Sequence, residues 1–135
     1  MDNHSDDTYK LTVLAVDDDP FILDTLVKYL SARDLNVIST TDPEKVMPIA
    51  SKQKPRLIIS DIAMPGLGGL EILKRIRERH RDTPVIIISG KAQESAEEFI
   101  EMGSFAYFAK PFQLAEVEDA VIRAIAHHQQ LAETE

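Results

Sequence analysis

Two hydrophobic periods alternate along the chain, and this alternation constrains the fold more than any other feature. Short apolar runs occur at Leu11–Val16, Asn36–Thr40, Arg56–Ser60, Pro84–Ile88 and Phe105–Ala109. Each is followed by a stretch whose apolar residues recur at helical spacing. Pro20–Ala32 carries Phe21, Ile22, Leu23, Leu26, Val27 and Leu30, and Asp19 before Pro20 suits a cap followed by proline at the first helical position. Asp42-Pro43 repeats that signal and opens a helix to about Ser51, with a kink or early break expected at Pro48. Gly66–Gly69 reads as a turn, and Leu70, Ile72, Leu73 and Ile76 form the next stripe. Ala92–Met102 is a helix ended by Gly103. A final helix runs from Gln113 to about Gln129, with Leu114, Val117, Val121, Ile122 and Ile125 at core spacing.

The pattern is (βα) five times. Strands that are apolar on both faces require helices on both sides of a parallel sheet. Right-handed crossovers then favour an α/β, doubly wound, five-stranded parallel sheet. A length of 135 residues suits one such domain. The expected division is a mobile tail over 1–10, a domain over 11–128, and the end of the last helix or a tail over 129–135, with Ala132–Glu135 mobile.

Composition removes several classes of function. Lys plus Arg is 15 against 23 Asp plus Glu, a net −8 that argues against direct nucleic-acid binding and against attraction to an anionic membrane. The chain has no Cys, which excludes disulfides, thiolate metal sites and thiol nucleophiles. No apolar run approaches the roughly 20 residues of a membrane span. The first ten residues, MDNHSDDTYK, have no apolar core, so a secretory leader is not expected and a cytoplasmic protein is.

In a parallel sheet all strand C-termini share one edge, and ligands bind in the crevice there. The residues that end the runs are Asp17, Asp18 and Asp19, then Asp61, then Ser89, then Lys110. Carboxylates converging in one crevice repel one another unless a cation is present. Hard oxygen donors, with no Cys and no clustered His, select Mg²⁺ over Zn²⁺. Such an ion keeps open positions for phosphate oxygens, which Lys110 and Ser89 could also contact. That points to phosphoryl transfer, with Asp61 as the best nucleophile because it stands alone at the end of a central strand.

The order VDDDP (Val16–Pro20), SDIAMPGLGG (Ser60–Gly69), IISG (Ile87–Gly90) and AKPF (Ala109–Phe112) resembles the receiver domain of two-component response regulators. The likeness runs from about residue 11 to 128. It implies a flavodoxin-like fold with strand order 2-1-3-4-5. It also implies that Asp61 accepts phosphate from a histidine kinase, a phosphotransfer protein or a small phosphodonor. Asp18, Asp61 and the backbone carbonyl of Ala63 would bind Mg²⁺, and Asp17 would help through water. Ser89 would hydrogen-bond the phosphoryl group, Lys110 would pair with it, and Lys110–Pro111 would be cis. Tyr107 matches an aromatic switch position. The face of the fourth helix, fifth strand and fifth helix would change on activation and could meet a downstream protein or form a homodimer. This sequence departs from the family's pattern at Gly68, a weak helix cap, while Ala63 and Lys91 occupy positions that tune access of water to the phosphate.

Two other functions start from the same scaffold. A haloacid dehalogenase-type Mg²⁺ phosphatase needs a second Asp two residues after its nucleophile, and here that residue is Ala63. A flavin module needs hydroxyls and backbone donors after its first strand, where Asp17–Asp19 would repel the phosphate. The glycines Gly66, Gly68 and Gly69 fit turn chemistry rather than a nucleotide loop. The basic run from Lys74 to Arg81 is interleaved by Glu71 and Glu78 and reads as a solvated face. No output segment is visible, so the chain is either a stand-alone receiver or the receiver piece of a longer regulator. The acidic fourth helix, with Glu94, Glu97, Glu98 and Glu101, suits a basic partner.

Overall fold

The computed structural model describes residues 11–61, 69–90 and 96–134. Five strands alternate with five α-helices: β1 (Leu11–Val16), α1 (Pro20–Ser31), β2 (Leu35–Thr40), α2 (Val46–Gln53), β3 (Leu57–Asp61), α3 (Gly69–Arg79), β4 (Val85–Ser89), α4 (Ala96–Glu101), β5 (Ala106–Ala109) and α5 (Leu114–Thr134). All strand pairs are parallel and the order is β2-β1-β3-β4-β5, as expected.

The central strands explain why helices cover both faces. Every residue of β3 and β4 is buried. Leu57, Ile59, Ile86 and Ile88 point into one layer, packed with Leu23, Leu26 and Leu30 of α1 and with Val117, Val121 and Ala124 of α5. Ile58, Val85 and Ile87 point the other way, onto Val46 and Met47 of α2, Ile72 and Ile76 of α3, and Phe99 of α4. Alternation of side chains along a strand assigns successive residues to opposite cores.

Local signals set the helix starts. Asp19, extended at φ −94° and ψ 107°, accepts from the Phe21 amide, and Pro20 occupies the first turn. Asp42 does the same for Glu44, opening a 3₁₀ turn over Pro43–Lys45. Pro48 does not break the helix, which is continuous over Val46–Gln53. The 3₁₀ turn leads directly into α2, which puts Pro48 third in that helix. The first-turn N–H groups have no intrahelical partner, so a proline there loses little.

Several boundaries differ from the sequence expectation by a residue, and three element ends matter most. β3 and β4 each end one residue later, so Asp61 and Ser89 are ladder residues, opposite Ile88 and Ala109. α5 runs to Thr134, where a mobile end was expected from Ala132. Its last turns hold Gln, Ala and Glu, good helix formers, and neither Gly nor Pro to stop them. Ile122 is 59% exposed rather than part of the core. The buried stripe of α5 is Val117, Ala120, Val121, Ala124 and Ile125, and Ile122 falls outside it. The expectations for residues 1–10, the Gly66–Gly68 turn, Ala63, Lys91 and Glu94 lie outside the described residues.

Candidate functional site

The C-terminal rim of the sheet gathers the acids. β1 ends at Val16, and Asp17 is held just beyond it by its amide, which donates to the Thr40 carbonyl at 3.3 Å. One carboxylate oxygen of Asp17 accepts from the Asp19 amide at 2.9 Å. Asp61 closes β3. One carboxylate oxygen from each of Asp17, Asp18 and Asp61 lies within 4.8 Å of the others. Asp17 and Asp61 are buried and Asp18 is exposed. Asp19 is the cap of α1, so the run of three aspartates divides into two site residues and one cap.

Lys110 reaches in from the end of β5. Its ammonium lies 3.0 Å from an Asp17 oxygen and 3.3 Å from an Asp61 oxygen. Its backbone amide donates to the Ser89 carbonyl at 2.7 Å, which ties the ends of β4 and β5 together. The Lys110–Pro111 bond is cis. Ser89 is buried at the end of β4, on the same rim.

Among the described residues one ammonium lies against two of the three carboxylates, so negative charge is in excess. Burial pushes the Asp17 carboxyl up. The Asp19 amide and Lys110 pull it down, and the nearby Asp61 charge raises it further. Burial alone would lower the Lys110 ammonium, but hydrogen bonds and charge attraction from Asp17 and Asp61 outweigh it, and its pKa is raised. Asp17 is thus raised chiefly by burial, and Lys110 by the two carboxylates it faces. Three hard oxygen donors in contact distance of a small ion fit Mg²⁺ as a ligand set.

Tyr107 lies behind this rim on β5, half-buried, with its ring stacked on Phe99 of α4 at a centroid distance of 5.6 Å and an interplanar angle of 18°. Phe99 was not legible as a site-related residue, because its partner is eight positions away in another element. Phe21 was legible only as one of an apolar series. It is 76% exposed and, with Ile22, Pro111 and Phe112, flanks a 460 Å³ groove that also touches Lys110 and Gly90.

The family model described as the response regulator receiver domain matches residues 13–122. The DNA-binding transcriptional regulator NtrC of Salmonella typhimurium is 35% identical over 119 residues, covering 87% of this chain and 25% of that protein. Sporulation initiation phosphotransferase F of Bacillus subtilis is 31% identical over 110 residues, covering 81% of this chain and 89% of that one. The signal receiver domain of a LuxO repressor from Vibrio parahaemolyticus superposes with a TM-score of 0.86 at 20% identity over 93% of this chain and 98% of that chain, a likeness of fold. NtrX from Brucella abortus superposes at 0.85 with 28% identity, over 93% of this chain and 29% of the other. The chain spans about a quarter of the length of the first of these curated relatives.

Proposed function

Because the chain belongs to the response regulator receiver family, a family of signalling domains, we propose that Asp61 is its phosphoryl acceptor. The observation that carries this reading is the meeting of Asp17, Asp18 and Asp61 with Lys110 at one rim. A carboxylate oxygen of Asp61 attacks phosphorus, the bond from phosphorus to the donor breaks, and the donor leaves with the electron pair of that bond, an imidazole then being protonated from solvent and a carboxylate leaving as the anion. Phosphoryl transfer asks a protein mainly for positioning and charge neutralisation. Asp18, Asp61 and the Ala63 carbonyl would hold a Mg²⁺ ion, with Asp17 helping through water, and the ion would supply charge neutralisation for the incoming phosphate. Lys110 transfers its ion pair from Asp61 to a phosphoryl oxygen once the carboxylate becomes an acyl phosphate. Ser89 donates a hydrogen bond to the same group.

The donor is the phosphohistidine of a kinase or phosphotransfer protein, or a small acyl phosphate. The apolar groove beside Lys110, with Phe21 at its lip, gives a protein donor a place to rest within reach of Asp61. Charge added at Asp61 favours a state in which Ser89 moves inward and Tyr107 shifts against Phe99, altering the α4–β5–α5 face. Ile100 on α4 and Ile122 on α5 are exposed, which suits that face to a protein partner or a second copy. Likeness to a quarter of NtrC favours a receiver within a longer cytoplasmic regulator, and likeness to most of phosphotransferase F favours a receiver acting alone.

Intact mass after incubation with acetyl phosphate and Mg²⁺ tests the acceptor. The wild-type chain gains one phosphoryl group, mapped to Asp61, and Asp61→Asn gains none. Labelling of Asp61→Asn at the wild-type rate would remove Asp61 from this role.

A further inference from the structure

Two Asp-Pro pairs open helical turns in this chain, and each Asp bonds backward along the chain as well as forward. Asp19 accepts from the Phe21 amide at 2.9 Å, and its own amide donates to Oδ1 of Asp17 at 2.9 Å. Asp42 accepts from the Glu44 amide at 3.0 Å, and its own amide donates to the Thr40 hydroxyl at 3.0 Å. The backbones match, with φ −94° and ψ 107° at Asp19 and φ −106° and ψ 109° at Asp42. One unit therefore ends on a hydroxyl and the other on a buried carboxylate of the acidic rim. The second oxygen of that carboxylate, Oδ2, lies 3.0 Å from the Lys110 ammonium. Asp17 is thus held at two points, by an amide on one side and an ammonium on the other. Asp19 is exposed, and its carbonyl accepts from the Leu23 amide at 3.2 Å, so it is tied to the first turn of α1 by side chain and backbone.

Resting on the acceptor reading above, we propose that Asp19 is a positioning residue for the acidic rim, acting through Asp17. By capping α1, its side chain holds residue 19 in the extended conformation that aims its amide at Asp17. A hydrogen bond from an amide to a carboxylate is charge-assisted, so it orients the acceptor as well as stabilising it. With both oxygens held, the Asp17 carboxylate is oriented toward Asp18 and Asp61 before a cation arrives. Without the cap the first turn of α1 frays, the amide of residue 19 loses its direction, and Asp17 pivots about its Lys110 contact. The helix itself remains, because Leu23, Leu26 and Leu30 seat it on the sheet.

Magnesium titration of the unphosphorylated full chain at constant ionic strength, followed by amide chemical shifts, reads this without any chemical step. Asp19→Ala weakens Mg²⁺ binding about three- to tenfold, the size of one hydrogen bond. In the metal-free chain its residue 19 amide exchanges with solvent faster than in wild type. Asp19→Gly loses the same side-chain bond at less cost to the helix, so it moves both readouts the same way and serves if the alanine variant does not fold. Asp19→Asn and Asp19→Ser cap without the charge, and both keep Mg²⁺ affinity within about twofold of wild type. Asp42→Ala is the matched control, losing an equivalent cap. It lowers the melting temperature and leaves Mg²⁺ affinity within about twofold of wild type, because the neighbouring Thr40 carbonyl holds the Asp17 amide and not its carboxylate. Wild-type affinity in both Asp19→Ala and Asp19→Gly would overturn the proposal. Equal weakening in the Asn and Ser variants would also overturn it, by making charge the cause, and so would equal weakening in Asp42→Ala, by making the loss of any cap the cause. A wild-type chain that binds no Mg²⁺ and takes no phosphate would overturn the acceptor reading, and this inference with it.

Discussion

The two rims of the sheet both bury charge, and they treat it differently. At the C-terminal rim, Asp17 and Asp61 face each other across Lys110, with Asp18 alongside, and negative charge is in excess. At the N-terminal rim, the guanidinium of Arg77 in α3 donates to the carbonyls of Thr83 and His80, the second at 3.4 Å. Burial lowers the Arg77 pKa, with Asp82 pulling it back up. There one guanidinium nitrogen is held by two backbone carbonyls of the loop, while Nε is buried with no partner among the described residues. Gly103, at φ +105°, lies against it, and a Cβ at that position would sit 2.6 Å from Arg77 Cδ. Ser104 then ties the same turn to β4. One rim gathers more negative than positive charge among the described residues. The other is closed by its own backbone. Substitutions should therefore separate the rims, costing chemistry at one and stability at the other.

The largest effect belongs to the acidic rim. Asp17→Asn is expected to slow Mg²⁺-dependent labelling by about 10²-fold, since it removes a charged ligand and one half of the Lys110 bridge. In the metal-free chain the same change relieves a buried carboxylate whose pKa is already raised. Its melting temperature at neutral pH, measured with chelator present, should equal or exceed wild type. A clear drop in melting temperature with unchanged labelling would erase the distinction between the rims.

Gly103→Ala is the counterpart. The left-handed backbone disfavours any side chain, and the added methyl meets a stem whose guanidinium is already committed to two carbonyls. A loss of about 1–3 kcal/mol in a urea unfolding curve is expected. Labelling per folded molecule should stay near wild type.

The acidic rim was more legible in the sequence than the closed one. Strand ends in a parallel sheet fall on one edge by topology, so four short motifs sufficed to bring Asp17, Asp18, Asp61, Ser89 and Lys110 together. β3 and β4 were legible because unbroken apolar runs fit only a strand covered on both faces. Their ends were not, because ladder pairing rather than polarity decides whether Asp61 and Ser89 close the strand. Arg77 against Gly103 was illegible for another reason. The two are 26 positions apart, and the basic run from Lys74 to Arg81 gives no sign of which member turns inward. Ile122 shows the limit of spacing arguments on a long helix, where small Ala120 and Ala124 take the core positions. Ser60 did carry a signal, a polar residue in an otherwise apolar run, and it is bonded to the neighbouring carbonyl.

The smallest effect, a pH response, probes the closed rim from α5. His128 is partly buried there, and its Nδ1 is buried with no hydrogen-bond partner among the described residues. Burial lowers its pKa from 6.5, the positive charges of Arg56 and His127 lower it further, and Asp82 opposes them. His127 beside it rests its ring on Phe105, with centroids 5.8 Å apart. A histidine whose folded pKa is depressed binds protons more readily in the unfolded chain. Its contribution to stability is therefore present above pH 6.5 and lost as the pH falls from there through the folded-state value. The wild-type melting temperature should drop between about pH 7.5 and about pH 5.5, and the drop should be smaller in His128→Gln, which stays neutral throughout. Carboxylates elsewhere contribute equally to both proteins, so the difference between the two curves isolates this one side chain. Parallel curves would mean that His128 titrates alike in the folded and unfolded chains, and that the N-terminal rim closes without it.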